Sequence, residues 1–310
     1  MIKPVFSIII PVYNTKVDLL VKCIESIMHQ TFINYECIIV NDGSTNKPTL
    51  IHVNSIHDPR FKIINQTNQG QGAARNRGIS ESSGKYIVFL DSDDFVDKNF
   101  LQTVFNITNR SNADIVCTKI TKILYEQNNK KENYIPLDIL DGFIEKHQKN
   151  KLIQQFVIWN KVYKRSLFKD ILFPSIKNED IFVLYITIFK AKTIFYTTRT
   201  SYNYTIHSES DVNSFRQNTI DEKSIHYIFD AIDVFDMIFS FYKVNEKRYH
   251  ISYFKSQLLQ NAYESLKYRR NLISNDKELV SSFDKKLYHL LKKYDKYFSV
   301  NPYEIIQRMT

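Results

Sequence analysis

The sequence predicts an α/β protein: a mostly parallel sheet with flanking helices, followed by a C-terminal helical subdomain. Three observations predict it. Runs of β-branched apolar residues alternate with stretches of helical spacing, the pattern of strand–helix–strand units with right-handed crossovers. Five of the six glycines, Gly43, Gly70, Gly72, Gly78 and Gly84, fall in one segment, where a backbone must turn or let a ligand come close. Beyond Asn218 the spacing is helical, with no glycine and no proline until Pro302.

Taken in order, "VFSIIIPVYN" (5–14) reads as a strand covered on both faces. "KVDLLVKCIESIMHQ" (16–30) puts Leu19, Leu20, Cys23, Ile24 and Ile27 on one helical face. "YECIIVND" (35–42), "RFKIINQ" (60–66) and "KYIVFLD" (85–91) read as strands, and "GQGAARNRGISES" (70–82) as a helix. A further helix is expected to start near Asp97. "ADIVCTKI" (113–120) reads as another strand. "WNKVYKRSLF" (159–168) and "NEDIFVLYITIFKA" (178–191) come later, then the strand-like "TIFYTTRTSYNYTI" (193–206). A boundary is expected near Phe215, dividing the chain into 1–215 and a helical region, 216–310.

Hydrophobic residues make up 43% of the chain, which excludes a disordered protein. Cys23, Cys37 and Cys117 lie in or beside apolar runs without paired spacing, so buried free thiols in a reducing compartment are expected. No leader-like or span-length apolar stretch is visible, so the chain reads as cytoplasmic. The net charge of +9 favours anionic partners. Between Lys243 and Lys296 there are 13 Lys and Arg against 6 Asp and Glu. No Arg-rich tract or paired-cysteine motif points to nucleic acid.

Three constellations carry chemistry. Asp42-Gly43-Ser44 follows the second strand, where it reads either as a plain turn or as a carboxylate accepting from a planar ligand. In "NQGQGAARNRG" (68–78), Gly70 and Gly72 open a helix whose free N–H groups suit an anion, and Arg75 and Arg77 can add contacts to phosphate. The sequence is not a Walker loop, because Gly-Lys-Ser/Thr is missing. Asp91-Ser92-Asp93-Asp94 places carboxylates at i and i+2 just past a strand, a spacing that can hold Mn²⁺ or Mg²⁺ with positions left for ligand oxygens. In parallel sheets ligands bind at the carboxyl ends of strands, where Asn14, Asp42 and Asp91 all fall.

"SIIIPVYN", "VNDGSTN", "NQGQGAARNRG", "YIVFLDSDD" and "NED" occur in an order and spacing that resembles family 2 glycosyltransferases of the GT-A (Rossmann-like) fold, over roughly residues 5–210. The usual first Asp of "DDGS" is Asn41 here. The resemblance implies a nucleotide-diphospho-sugar donor, most often UDP-linked, and inversion at the anomeric carbon. It implies that Pro11, Tyr13, Asn14, Asp42, Gly70, Arg75, Asp91 and Ser92 serve the donor, with Asp42 on the uracil edge and Asp91 by the ribose. Asp93 would bind the metal. Asp180 would be the general base and Glu179 would bind acceptor hydroxyls or orient the loop. Without the resemblance, Glu179-Asp180 would read as acids complementing a helix dipole. Trp159-Asn160-Lys161 matches a "WNK" stretch of bacterial members; Trp159 is either a platform for an acceptor sugar or a core residue, with Asn160 beside it. His207 stands where relatives carry a residue contacting the metal or the diphosphate.

The expected acceptor is a glycan or a lipid-linked saccharide in cell-surface polysaccharide synthesis. The basic C-terminal helices could meet the inner face of the plasma membrane or a second copy of the chain, and no nucleic-acid partner is expected. Two alternatives compete. A sugar-1-phosphate nucleotidyltransferase would carry a Gly-rich basic signature where this chain has Pro11-Val12-Tyr13-Asn14. A non-catalytic scaffold would have lost the acidic motif or the base, and both are present.

Overall fold

Seven consecutive buried residues, Phe6–Val12, form β1, the strand around which the sheet is organised. The computed structural model describes residues 3–125, 130–133, 139–207 and 221–309. After β1 come α1 (Val17–Met28), β2 (Tyr35–Asp42), α2 (Lys47–Asn54), β3 (Phe61–Gln66), α3 (Gln71–Glu81) and β4 (Tyr86–Phe89). β1 pairs in parallel with β2 and β4, and β2 with β3. Pro11 fits this central strand because its nitrogen faces the same side as Ile9, whose carbonyl takes the last β4-side bond, from Leu90 at 3.0 Å. β4 has ended there, so no ladder bond is forfeited.

The chain continues through β5 (Phe95–Val96), α4 (Phe100–Ser111), β6 (Ile115–Leu124), β7 (Lys130–Asn133), β8 (Gly142–Phe143), α5 (Lys149–Ile153), β9 (Lys161–Lys164), α6 (Glu179–Lys190) and β10 (Ile194–Ile206). The sheet order is β3-β2-β1-β4-β9-β6-β10-β5, with β7 on β6 and β8 on β10. β9 runs antiparallel to both β4 and β6, and β10 is parallel to β6. Two reversals restore the direction, so β10 points the same way as β1, β2 and β4. The loops after β1, β2 and β4 and the end of β10 therefore share one edge of the sheet.

Helices cover both faces. Phe6, Ile8, Ile10 and Val12 pack with Leu20, Cys23, Ile24 and Ile27 of α1 and with α4. Ile9, Ile87 and Phe89 face the other way, into a larger cluster with α6. That cluster also takes in the C-terminal helices: α7 (Glu222–Tyr249), α8 (Lys255–Leu272), α9 (Lys277–Phe298) and α10 (Pro302–Gln307). The boundary expected near Phe215 falls in 208–220, outside the described residues. On either side of it the core is continuous, from Ile9 to Phe298. Cys23, Cys37 and Cys117 are buried free thiols.

The apolar face of α9, with Leu287, Leu290, Leu291 and Tyr294, is buried in this core. Two of its lysines cross to α7, Lys286 to Asp233 at 2.6 Å and Lys293 to Asp236 at 2.7 Å. The helix is thus docked on its own chain, and part of the basic charge foreseen for a membrane or a partner is committed internally. Among the described residues no helix is long and apolar enough to cross a membrane. Leu287→Ala should destabilise the protein by roughly 2–5 kcal/mol through the cavity it leaves. A lowered urea midpoint with unchanged slope is the expected reading; an unchanged midpoint would mean that α9 is peripheral to the core.

Candidate active site

The loops at the carboxyl edge organise one another. Asn14 adopts a left-handed backbone, φ 50°, which Asn tolerates better than most residues. Its Oδ1 accepts from the backbone N–H groups of Thr45 and Asn46 at 2.8 and 2.9 Å. Asp42 is buried; its carboxylate accepts from Gln66 Nε2 and from the N–H groups of Gln69 and Gly70, all at 2.8–2.9 Å. It shapes the turn into α3. Gly70, with φ 89°, is the N-cap of α3. Tyr13 stands exposed beside these loops, whereas Pro11 is buried within β1.

Arg75 joins segments far apart in sequence. It lies on the inner side of α3, 2% exposed. One Nη donates to Asp91 Oδ1 at 2.9 Å and the other to Glu179 Oε1 at 3.1 Å. Gln71, one turn earlier, also donates to Asp91 Oδ1, at 3.1 Å. Gly72 makes the junction possible, because a Cβ there would lie 2.9 Å from Glu179 Cγ and 3.1 Å from Phe173 Cβ. Phe173 lies under the guanidinium, 5.5 Å from ring centre to Cζ. Asn76 straps the same segment to α3, exchanging two hydrogen bonds with the backbone of Phe173 at 2.8 and 2.9 Å.

The acidic loop after β4 is divided in its duties. Asp94 is fully buried and accepts from Tyr202 Oη and from the Thr205 N–H, both at 2.7 Å. Burial, with Asp93 and Asp91 nearby, pushes its carboxyl well above the usual range. Tyr202 Oη in turn accepts from the Asp91 N–H at 3.1 Å. Ser92 shares a hydrogen bond of 2.6 Å with Thr15. Asp93 alone turns outward, its side chain 33% exposed, with Oδ2 3.0 Å from His207 Nε2. A part-exposed carboxylate oxygen beside the nitrogen of the buried His207 imidazole suits Mn²⁺ or Mg²⁺. Among the described residues no third acidic, His or Cys side chain completes a cage. The remaining positions would fall to ligand oxygens and water, as is common for Mg²⁺.

Glu179 and Asp180 form the first turn of α6. Burial, reinforced by Glu179, pushes the Asp180 carboxyl up to about 7 against the opposing pull of Arg75. Burial also raises Glu179. Asp180 Oδ1 accepts from the Ile181 N–H at 2.9 Å. The site thus offers a part-exposed carboxylate beside a buried imidazole and, linked to its loop through Arg75, a carboxyl whose burial pushes it up towards neutrality.

Two expected acceptor contacts are corrected. Trp159 is buried and stacks on Tyr202 and Tyr204, with ring centres 4.4 and 5.3 Å apart. No open face is left for a sugar. Asn160 is fully buried, donating to the Thr118 carbonyl at 3.0 Å and accepting from Lys161 Nζ at 2.7 Å. Both support the sheet. Tyr202 and Gln71 belong to the site without a role marked by the motifs, and Asp94, named in the acidic run, has a structural role that the run does not assign. An acid next to the Asp-x-Asp spacing was the visible signal for Asp94; no local signal marks Tyr202.

The model of Glycosyl transferase family 2 matches residues 7–172. The chain is similar to the protein named as glycosyltransferase EpsH of Bacillus subtilis, 31% identical over 69% of this chain and 64% of that one. It is similar to glycosyltransferase GlyA of Streptococcus pneumoniae, 31% identical over 73% of this chain and 33% of that one. It therefore spans less than two thirds of either relative. Among solved structures, TarS 1–349 of S. aureus in complex with UDP-GlcNAc has a TM-score of 0.60 at 18% identity, covering 98% of this chain and 90% of that one. Its complex with UDP gives 0.58 at 18% identity over 91% and 87%.

Arg75→Met should destabilise the protein by roughly 3–5 kcal/mol, since it leaves Glu179 and Asp91 as partly buried acids without their cation. Urea unfolding at pH 7 measures it. A loss under about 1 kcal/mol, as for an exposed ion pair, would show that Arg75 does not bind the two loops together.

Proposed function

The chain belongs to glycosyl transferase family 2, and on that premise we propose that it moves a sugar from a nucleotide-diphospho-sugar, a UDP-sugar first, to a hydroxyl of a glycan or lipid-linked saccharide. Cell-surface polysaccharide synthesis is the setting we propose for the reaction. The observation that carries the reading is the Arg75 junction, which ties the Asp180 turn to the loop holding Asp91 and Asp93. Structures of similar fold contain UDP and UDP-GlcNAc, which supports a uridine nucleotide as the donor.

In this reading the donor lies along the carboxyl edge. Tyr13 and the 42–45 loop flank the nucleotide, Asp91 faces the ribose, and the diphosphate approaches Asp93 and His207. Bound there, Mn²⁺ or Mg²⁺ would neutralise charge on the departing diphosphate. Asp180 takes the proton of the acceptor hydroxyl while its oxygen bonds to the anomeric carbon from the opposite face. The bond from that carbon to the diphosphate breaks, the nucleoside diphosphate leaves with the electron pair, and the configuration inverts. Partial burial holds the Asp180 carboxyl near neutrality, where a base is both ionised and basic enough to act. Glu179 is held by Arg75 and fixes the turn. A donor screen over UDP-, GDP- and dTDP-sugars tests the whole; turnover of none of them would refute it.

Asp180→Asn should lower kcat by roughly 10²–10⁴-fold, the usual worth of a general base, with UDP affinity near that of the unmodified protein. The base works only when deprotonated, so the rate should rise with pH through about 7 and then level. A flat profile from pH 5 to 8, or an equal loss of UDP affinity in the variant, would remove Asp180 from this role.

Asp93→Asn should nearly abolish turnover and remove the Mn²⁺-dependent part of UDP stabilisation in a thermal-shift assay. Full activity after dialysis against EDTA would take the metal out of the mechanism.

A further inference from the structure

The C-terminal helices touch the turn that carries the base. Asn178, the residue before α6, has a left-handed backbone, φ 62° and ψ 26°. Both ends of its side-chain amide are held by the C-terminal region. Its Oδ1 accepts from Arg269 Nη2 in α8 at 2.8 Å, and its Nδ2 donates to the Tyr227 carbonyl in α7 at 2.9 Å. The preceding Lys177 N–H donates to Asp230 Oδ2, also in α7, at 3.0 Å. The Asn178 carbonyl then accepts from the Ile181 N–H at 3.1 Å, the same N–H that meets Asp180 Oδ1. Three anchors converge on two residues, next to Glu179 and Asp180.

Arg269 is an unusual choice for a purely structural contact. It is 5% exposed, and its hydrogen bonds go to neutral groups: Asn178, the Ser265 carbonyl at 3.2 Å and the Ser265 hydroxyl at 2.7 Å. Its Cζ lies over the Tyr227 ring at 4.7 Å. Burying a cation without a paired anion is costly, and among the described residues no carboxylate lies within ion-pair distance of it. The carboxylate whose charge bears on it is Asp180. We propose that Arg269 is a positioning residue for the base: through Asn178 it fixes the turn that presents Asp180.

The proposal rests on Asp180 acting as the base. Among the described residues, the groups whose charge bears on Asp180 or on which its charge bears are Glu179 on its own helix, Arg75 from α3, Asp91 after β4, Lys161 and Tyr163 from β9, and Arg269 from α8. Of these described groups, Arg269 is the one that comes from the C-terminal region. Arg269→Lys keeps the charge and loses the fork that reaches Asn178.

Three variants test the clamp. Asn178→Gly suits the left-handed backbone and removes the two side-chain anchors while leaving that of the Lys177 N–H; kcat should fall roughly 10²-fold, as for a misplaced catalytic group, with UDP affinity kept within about twofold. Arg269→Met and Arg269→Lys should show the same fall, because neither side chain keeps the fork that reaches Asn178. Hydrogen exchange at the Ile181 amide should quicken in all three, a readout independent of turnover. If the unmodified protein uses no nucleotide sugar, the catalytic reading fails by itself, and the exchange rates still decide the clamp. Unchanged exchange and unchanged kcat would overturn the proposal, as would UDP affinity falling in step with kcat.

Discussion

The site depends on one buried cation. Arg75 is enclosed on α3 between the acidic loop after β4 and the first turn of α6, and its two Nη groups are divided between them. Both carboxylates are partly withdrawn from water and would be costly there without it, and without them the buried guanidinium would be the liability. The contact with Glu179 spans 104 residues of sequence. The loop after β4 and the first turn of α6 are thereby set at a fixed separation before any ligand arrives, the preorganisation that the proposed transfer between two bound molecules would require.

The sheet supplies the common edge on which this happens. Four parallel strands in the order β3-β2-β1-β4 bring the first loops together. The antiparallel β9 then lets the chain reverse twice, so that β10 delivers His207 to the same edge as Asp93. The divided use of the acidic loop follows from this arrangement. Asp94 faces inward and fastens the loop to β10, which frees Asp93 to face outward. Burial on one side of a tetrapeptide is what keeps the other side in place.

Much of the fold could be read from residue spacing because β1, α1, β2 and α3 are specified locally: β1 by seven buried residues in a row, α1 by a clean apolar face, α3 by its glycines. β5 and β8, two residues each, and the four-residue β9 are too short to show a period, and α2 has little apolar bias to betray it. Within the site, residue types were legible and partners were not. "NED" marked Glu179 and Asp180, but nothing near them says that Arg75 is their neighbour. Trp159 carried two readings because an indole is at home on a sugar or in a core; the pair Tyr202 and Tyr204, alternate residues of β10, decided for the core. Arg269 did leave a trace. It continues the buried stripe Leu258, Ala262, Ser265, Leu266 of α8, where a charged residue has to be explained.

That stack has an optical consequence. Trp159 is the one tryptophan of the chain, and Tyr202, on which it lies, holds both ends of the acidic loop through a single phenol oxygen. Light absorbed above the tyrosine band is therefore emitted by an indole one residue removed from Asp91 and Asp94. The protein carries its own fluorophore behind the acidic loop after β4, where a rearrangement of that loop would be read in the colour and lifetime of emission without any label.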